Sequence, residues 1–138
     1  MLFFFDVREA KKGFGVQMNL NCWDQRIRIN EIQITQMLLN LILNAFQAME
    51  GKGGILTVKT SFDDRNLYLH VRDTGCGISE EHRARIFDPF FTTKESGRGT
   101  GLGLAIAAQV AEDHQGSIRV DSRLGEGTAF TVKLPRDR

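Results

Sequence analysis

No run of this 138-residue chain is apolar for long enough to cross a membrane. The apolar start Met1–Phe5 is cut off by Asp6, and it lacks the basic opening and cleavage site of a secretory signal. Cysteine is scarce as well. Cys22 and Cys76 make no disulfide framework, and no Cys-x-x-Cys or Cys/His spacing suggests zinc, so a reducing, cytoplasmic setting is expected. An excess of either charge is missing: 18 Lys and Arg stand against 17 Asp and Glu, which excludes the polybasic footprint of a nucleic-acid binder. With 41% hydrophobic and 25% charged residues the composition is that of a globular chain, without a disordered tail, a repeat or an internal linker. The length suits one domain with a two-layer core, its body at about residues 15–135.

What is present is a clear order of elements. Residues 2–12 read as a short amphipathic helix ended by Gly13 and Gly15. Val16, Met18 and Leu20 alternate with polar residues, as do Ile27 and Ile29 after Trp23-Asp24-Gln25, which predicts a hairpin. Ile34, Leu38, Leu41, Ile42, Ala45 and Met49 recur with a helical period over about 31–49, and Gly51, Gly53 and Gly54 end that helix. Strands are expected near 54–62 and 66–73, around a turn at Asp63-Asp64-Arg65. A glycine-rich stretch over 74–100 holds a short helix near 80–86, and a second strong helix follows at 102–114. Strands near 117–123 and 127–134 meet at Gly125-Glu126-Gly127. The pattern predicts an α+β, two-layer α/β sandwich: a mixed, mostly antiparallel sheet covered on one face by about three helices.

Four constellations carry chemistry. On the long helix, Gln36, Asn40, Asn44 and Gln47 follow at spacings of 4, 4 and 3 and share one face. Their neutral amide oxygens suit magnesium shared with substrate phosphates; amides bonded to neighbouring backbone are the plainer alternative. In the strand 66–73, Leu67, Leu69, Val71 and Asp73 lie on one face and Tyr68, His70 and Arg72 on the other. Asp73 therefore ends an apolar face, where its carboxylate needs a donor such as the exocyclic amine of a base, unless it simply caps a turn. Gly75 and Gly77, before Ile78, allow a tight turn and close approach to a flat ring.

Phe87, Phe90 and Phe91 cluster around Pro89, either as a loop tucked into the core or as the hinge of a mobile cover. Thr92, Thr93, Lys94, Ser96 and Arg98 offer hydroxyls and cations to phosphates, or form an ordinary solvated loop. Gly97, Gly99, Gly101 and Gly103, interleaved with Arg98, Thr100 and Leu102, lead into the helix 102–114, where exposed N–H groups and the helix dipole favour an anion. The spacing is neither a dinucleotide fingerprint nor a Walker A loop.

These residues closely resemble the catalytic ATP-binding domain of bacterial sensor histidine kinases, in the superfamily that also holds gyrases, chaperones and mismatch-repair ATPases. The resemblance spans roughly residues 15–135: Asn40–Ala45 is similar to the N box, Asp73–Ile78 to the G1 box, Phe87–Phe91 to the F box and Gly99–Leu104 to the G2 box. Gly127-Thr128-Ala129-Phe130 is similar to the strand that places a threonine near the adenine. The resemblance implies a Bergerat-type fold that binds ATP and Mg²⁺. It implies Asn44 as metal ligand with Asn40 beside it, Asp73 on adenine N6, the backbone of Gly101, Leu102 and Gly103 around the phosphates, and residues 88–99 as a lid. Phe87 would anchor that lid, and Thr93, Lys94, Arg98, Gly99 and Thr100 would line it, Lys94 or Arg98 replacing a basic residue that kinases often carry after the metal asparagine. Gln47 and Ala48 stand there in this chain.

Hydrolysing members carry a water-activating glutamate four residues before the metal asparagine. Asn40 occupies that place and cannot act as a base near pH 7, which favours transfer to a protein over hydrolysis. No histidine here has the family's acceptor context. His70 lies in a strand, His82 reads as a surface residue, and His114 as a cation near a helix C-terminus. The expectation is a cytoplasmic, by itself monomeric, domain excised after the dimerisation and phosphoacceptor helices, Met1 being a cloning start. Its partners would be the histidine-bearing helices of a homodimeric parent, membrane-anchored or not, and a response regulator downstream. A stand-alone serine kinase of anti-sigma-factor type and a nucleotide-sensing module that never transfers phosphate are the alternatives.

Overall fold

A computed structural model describes residues 2–5, 14–20, 27–91 and 101–136. The alternation read in the sequence governs its sheet. In β4 (Asn66–Asp73), Leu67, Leu69, Val71 and Asp73 are buried while the intervening side chains are half-buried or exposed. β4 pairs antiparallel with β3 (Gly54–Phe62). The connection between them is closed by Asp63, whose Oδ1 accepts from the N–H groups of Arg65 and Asn66 at 2.8 and 2.7 Å. The Tyr68 hydroxyl donates to Asp63 Oδ2 at 2.7 Å. Together these donors, Tyr68 foremost, hold the Asp63 carboxyl below its ordinary pKa.

β5 (Ser117–Arg123) and β6 (Gly127–Pro135) form the second hairpin, and β6 lies against β4. On the other side β3 pairs in parallel with β2 (Phe14–Leu20), and β2 pairs antiparallel with β1 (Leu2–Phe5). The order is β1-β2-β3-β4-β6-β5, with β2–β3 the parallel pair among the described strands. A parallel pair needs a crossover, and α1 (Glu31–Ala48) supplies it.

The expected α+β sandwich is present, with two local differences. Leu2–Phe5 is strand, not helix. A short apolar run rich in phenylalanine fits either period, and pairing with β2 decides between them. The expected hairpin between 16–20 and 27–29 does not form, because both edges of β2 are taken by β1 and β3 and Ile27–Asn30 is not strand. Its turn, Trp23-Asp24-Gln25, lies outside the described residues, as do residues 6–12 of the expected first helix.

Two long helices cover one face. α1 buries Ile34, Met37, Leu41 and Ala45, and α3 (Gly103–Asp113) buries Ala107, Val110 and Ala111. They meet Leu56, Val58, Leu69, Val71, Phe130 and Val132 of the sheet in one core. α2 (Glu80–Arg83) is a single turn capped by Ser79, which accepts from the His82 N–H at 3.2 Å.

The opposite face, which no described helix covers, carries His70, between Ser61 Oγ at 3.4 Å and Thr131 Oγ1 at 3.3 Å. Burial, and then the nearby Lys59 charge, push its pKa below the ordinary histidine value. As pH falls below about 6.5 the unfolded chain protonates first, so this group withdraws stability from the fold on acidification. Replacing it, as His70→Gln, should make thermal unfolding less sensitive to pH between about 6.5 and 5 than in the parent chain. Identical pH profiles by circular dichroism would remove this account.

Candidate functional site

Asp73 closes β4 on its core face at 2% exposure. Its Oδ1 accepts the Gly75 N–H at 2.8 Å. Burial raises its pKa above the ordinary carboxyl value, opposed by the N–H groups of Gly75 and Thr128. Thr128 is its register partner on β6, and Ser122 that of Thr128 on β5. Ser122 Oγ accepts the Ile78 N–H at 2.8 Å, donates to the Gly127 carbonyl at 3.0 Å and lies 2.8 Å from Thr128 Oγ1. Its one proton is spent on Gly127, so Thr128 donates to Ser122 and keeps its lone pairs as acceptors. Ser122 thus orients both Ile78 and Thr128. The residues alone did not single it out, although the register of the 117–123 and 127–134 strands contains it.

The loop after Asp73 is pressed against protein backbone. A side chain at Gly75 would strike the Ala48 carbonyl, and one at Gly77, whose φ is +74°, the Arg123 carbonyl. The Cys76 N–H donates to Ala48 O at 3.0 Å and the Gly125 N–H to Cys76 O at 2.8 Å, which straps this loop between the end of α1 and the β5–β6 turn.

On α1, Asn40 and Asn44 are half-buried along the edge that faces α3. Asn40 abuts Gly103: a Cβ added there would lie 3.8 Å from its amide carbon and oxygen. The Asn40 Nδ2 is buried without a hydrogen-bond partner. Amide O and N are interchangeable in assignment, so one polar end of this side chain is left for a ligand. The N-cap of α3, Leu102, makes no side-chain cap hydrogen bond, and the first N–H groups of a helix favour an acceptor. Gly101 and Leu102 are half-buried beside it, and Gly101 takes φ +71°, where a side chain would collide with the Phe90 backbone.

Phe87 packs edge-on against Phe130 at 6.2 Å, an anchor in the core. Phe91 lies under Arg85 at 4.7 Å. Phe90, at φ +68° and 74% exposure, points outward, and its N–H donates to Gly101 O at 2.8 Å. That bond joins Phe90, inside the stretch 88–99 expected to be the lid, to Gly101 just beyond it. Thr93, Lys94, Arg98, Gly99 and Thr100 lie outside the described residues. A cleft of about 560 Å³ at the strand ends is lined by Asp73, Thr128 and Ser122, with Arg72, Arg83 and Arg123 around them; Asn40, Asn44 and Gly103 do not line it. The carboxylate group and the amide group are joined through the Ala48 strap.

His114, read from its position as a cation near a helix C-terminus, is buried at the end of α3. It is 3% exposed, with Nε2 3.0 Å from the Asn30 N–H and Nδ1 2.8 Å from Val110 O.

This geometry has relatives. The family model for histidine kinase-, DNA gyrase B- and HSP90-like ATPases matches residues 29–138. The chain belongs to this family. It is 45% identical over 102 residues to the signal transduction histidine-protein kinase AtoS of Escherichia coli (strain K12), across 74% of this chain and 16% of that protein. The catalytic domain of histidine kinase ThkA superposes with a TM-score of 0.79 at 29% identity, covering 99% of this chain and 98% of that one. Full-length ShkA, in complex with AMPPNP, superposes with a TM-score of 0.76 at 32% identity, over 94% of this chain and 27% of that one. The chain spans well under a third of the length of the curated relatives it matches. Within the family it is an ATP-binding domain of the histidine-kinase type.

Asp73→Asn should weaken ATP binding at least about tenfold, since a charged acceptor is lost from a buried pair. It should not lower the melting temperature at pH 7. A folded pKa above the unfolded one means that the ionised carboxylate costs stability once pH exceeds the folded value, and the amide removes that cost. Calorimetric titration and thermal unfolding check the two halves; unchanged affinity would overturn the adenine assignment.

Proposed function

We propose that this chain positions Mg²⁺-ATP for transfer of the γ-phosphoryl group to a histidine on separate dimerisation helices of a sensor kinase. The chain forms one catalytic unit, and a response-regulator aspartate accepts the phosphoryl group from the histidine. Asp73, with Thr128 beside it, receives the adenine, and the start of α3 receives the phosphates. Asn44, with Asn40 behind it, would hold the ion. The donor set fits magnesium: hard, neutral amide oxygens at Asn44 and Asn40, with one buried amide end of Asn40 left without a partner. When bound, the ion would neutralise charge on the phosphates. Lys94 or Arg98 would add a cation from the lid. Catalysis then rests on alignment and charge compensation, with little covalent work for the protein.

One observation carries the transfer reading. The side chain that abuts the phosphate-binding end of α3 is the amide of Asn40, which cannot act as a base to activate water. The chain's own histidines support an external acceptor. His70 lies between Ser61 and Thr131 on the sheet face away from α1 and α3, His114 has both ring nitrogens engaged, and His82 sits on α2 with its ring 5.6 Å from Phe91. No helix among the described residues is long and apolar enough to cross a membrane.

With labelled ATP and a separately purified histidine-bearing helix pair, acid-labile phosphohistidine should form on the helices. Acid-stable phosphoserine would establish the serine-kinase alternative, and no transfer to any helix pair the nucleotide-sensing module. Asn44→Ala should slow transfer at least about tenfold while changing ADP affinity without Mg²⁺ by less than about twofold. Equal losses in both would refute its metal role.

A further inference from the structure

We infer that His114 is a positioning residue: its ring ties the start of α1 to the end of α3 and sets the register at which Asn40 and Asn44 face the phosphate-binding start of α3. The inference rests on the phosphate assignment above and extends it to a residue far from the phosphates.

The ring is saturated. Nε2 accepts the Asn30 N–H at 3.0 Å, which places the ring proton on Nδ1, where it is donated to the Val110 carbonyl at 2.8 Å. The Val110 bond is buried and the Asn30 bond part-buried, the ring itself being 3% exposed. Asn30 is the N-cap of α1, and its Oδ1 accepts the Gln33 N–H at 3.1 Å. His114 therefore holds the residue that starts the helix, while Val110 belongs to the last turn of α3. The two helices run antiparallel. Asn30 meets His114 at one end, and Asn40 meets Gly103 at the other. The spans between these points are about 15 Å on α1 and about 16 Å on α3 at ~1.5 Å per residue. A rigid pair fastened at its far end cannot slide at its near end without breaking the Asn30–His114 bond. Asp73 and Thr128 stand on β4 and β6, outside this pair, so the tie acts on the phosphate and metal half of the site.

Glutamine can reproduce both bonds, accepting with Oε1 and donating with Nε2, whereas leucine keeps bulk and makes neither. His114→Leu should weaken Mg²⁺-ATP binding about fivefold or more, the order of one lost buried hydrogen bond, and adenosine binding by less than about twofold. His114→Gln should bind both ligands within about twofold of the parent chain. Without nucleotide, the Gly103 amide and Asn40 side-chain amide NMR signals should shift in the leucine variant and return in the glutamine variant. Equal loss for adenosine and Mg²⁺-ATP, or unmoved Gly103 and Asn40 signals in the folded leucine variant, would overturn the inference. If the parent chain binds no Mg²⁺-ATP, the ATP reading falls, and the two amide signals still decide the tie. Should His114→Leu fail to fold, His114→Asn, one methylene too short to span both partners, carries the same expectations.

Discussion

α1 is held at three points along its length, and the site depends on that. Its first turn is tied by the Asn30 N–H to His114, its middle lies with Asn40 against Gly103, and its last carbonyls receive the Cys76 N–H. Between these points Met37, Leu41 and Ala45 are buried against the sheet. A helix so fastened has one rotation and one register open to it. In that register its amide edge turns toward the uncapped start of α3, and its end supports the loop that follows the buried carboxylate.

The carboxylate is the costly part of the design. Asp73 gives up solvation at the end of an apolar strand face, and two backbone N–H groups return only part of it, as its raised pKa records. The fold tolerates this because β6 and β5 are in register with it. Thr128 stands opposite Asp73, Ser122 opposite Thr128, and the Ser122 hydroxyl settles the direction of each bond in the group. A buried acceptor kept at the expense of stability, beside the Thr128 hydroxyl, suits the base-binding role proposed for Asp73.

Much of this was legible along the chain. The hairpins 54–62 with 66–73 and 117–123 with 127–134 lie in the structure at almost the residues read from alternation and turns, because each contact in them is local. The helix at 31–49 was equally plain, its apolar period being long and its end marked by the glycines, although its cap, Asn30, was not read. The first strands were not. Leu2–Phe5 is too short and too uniformly apolar to show a period, and Val16–Leu20 alternates without revealing which neighbour it takes. That neighbour, β3, is more than thirty residues away and runs parallel, a pairing that only the α1 crossover makes possible.

The sequence by itself determined the chemical types at the site: amides at 40 and 44, the first where a hydrolase would carry a carboxylate, a carboxylate ending an apolar strand face, glycines before a helix. Those are properties of residue identity and short spacing, and they survive without any knowledge of the fold. Tertiary structure alone decided that Ser122 governs Thr128 and Ile78, that Gly75 and Gly77 make room for backbone carbonyls, and that His114 is a buried brace. Each of these depends on which distant carbonyl or N–H lies within about 3 Å, a distance set by sheet register and helix packing and not by neighbouring residues.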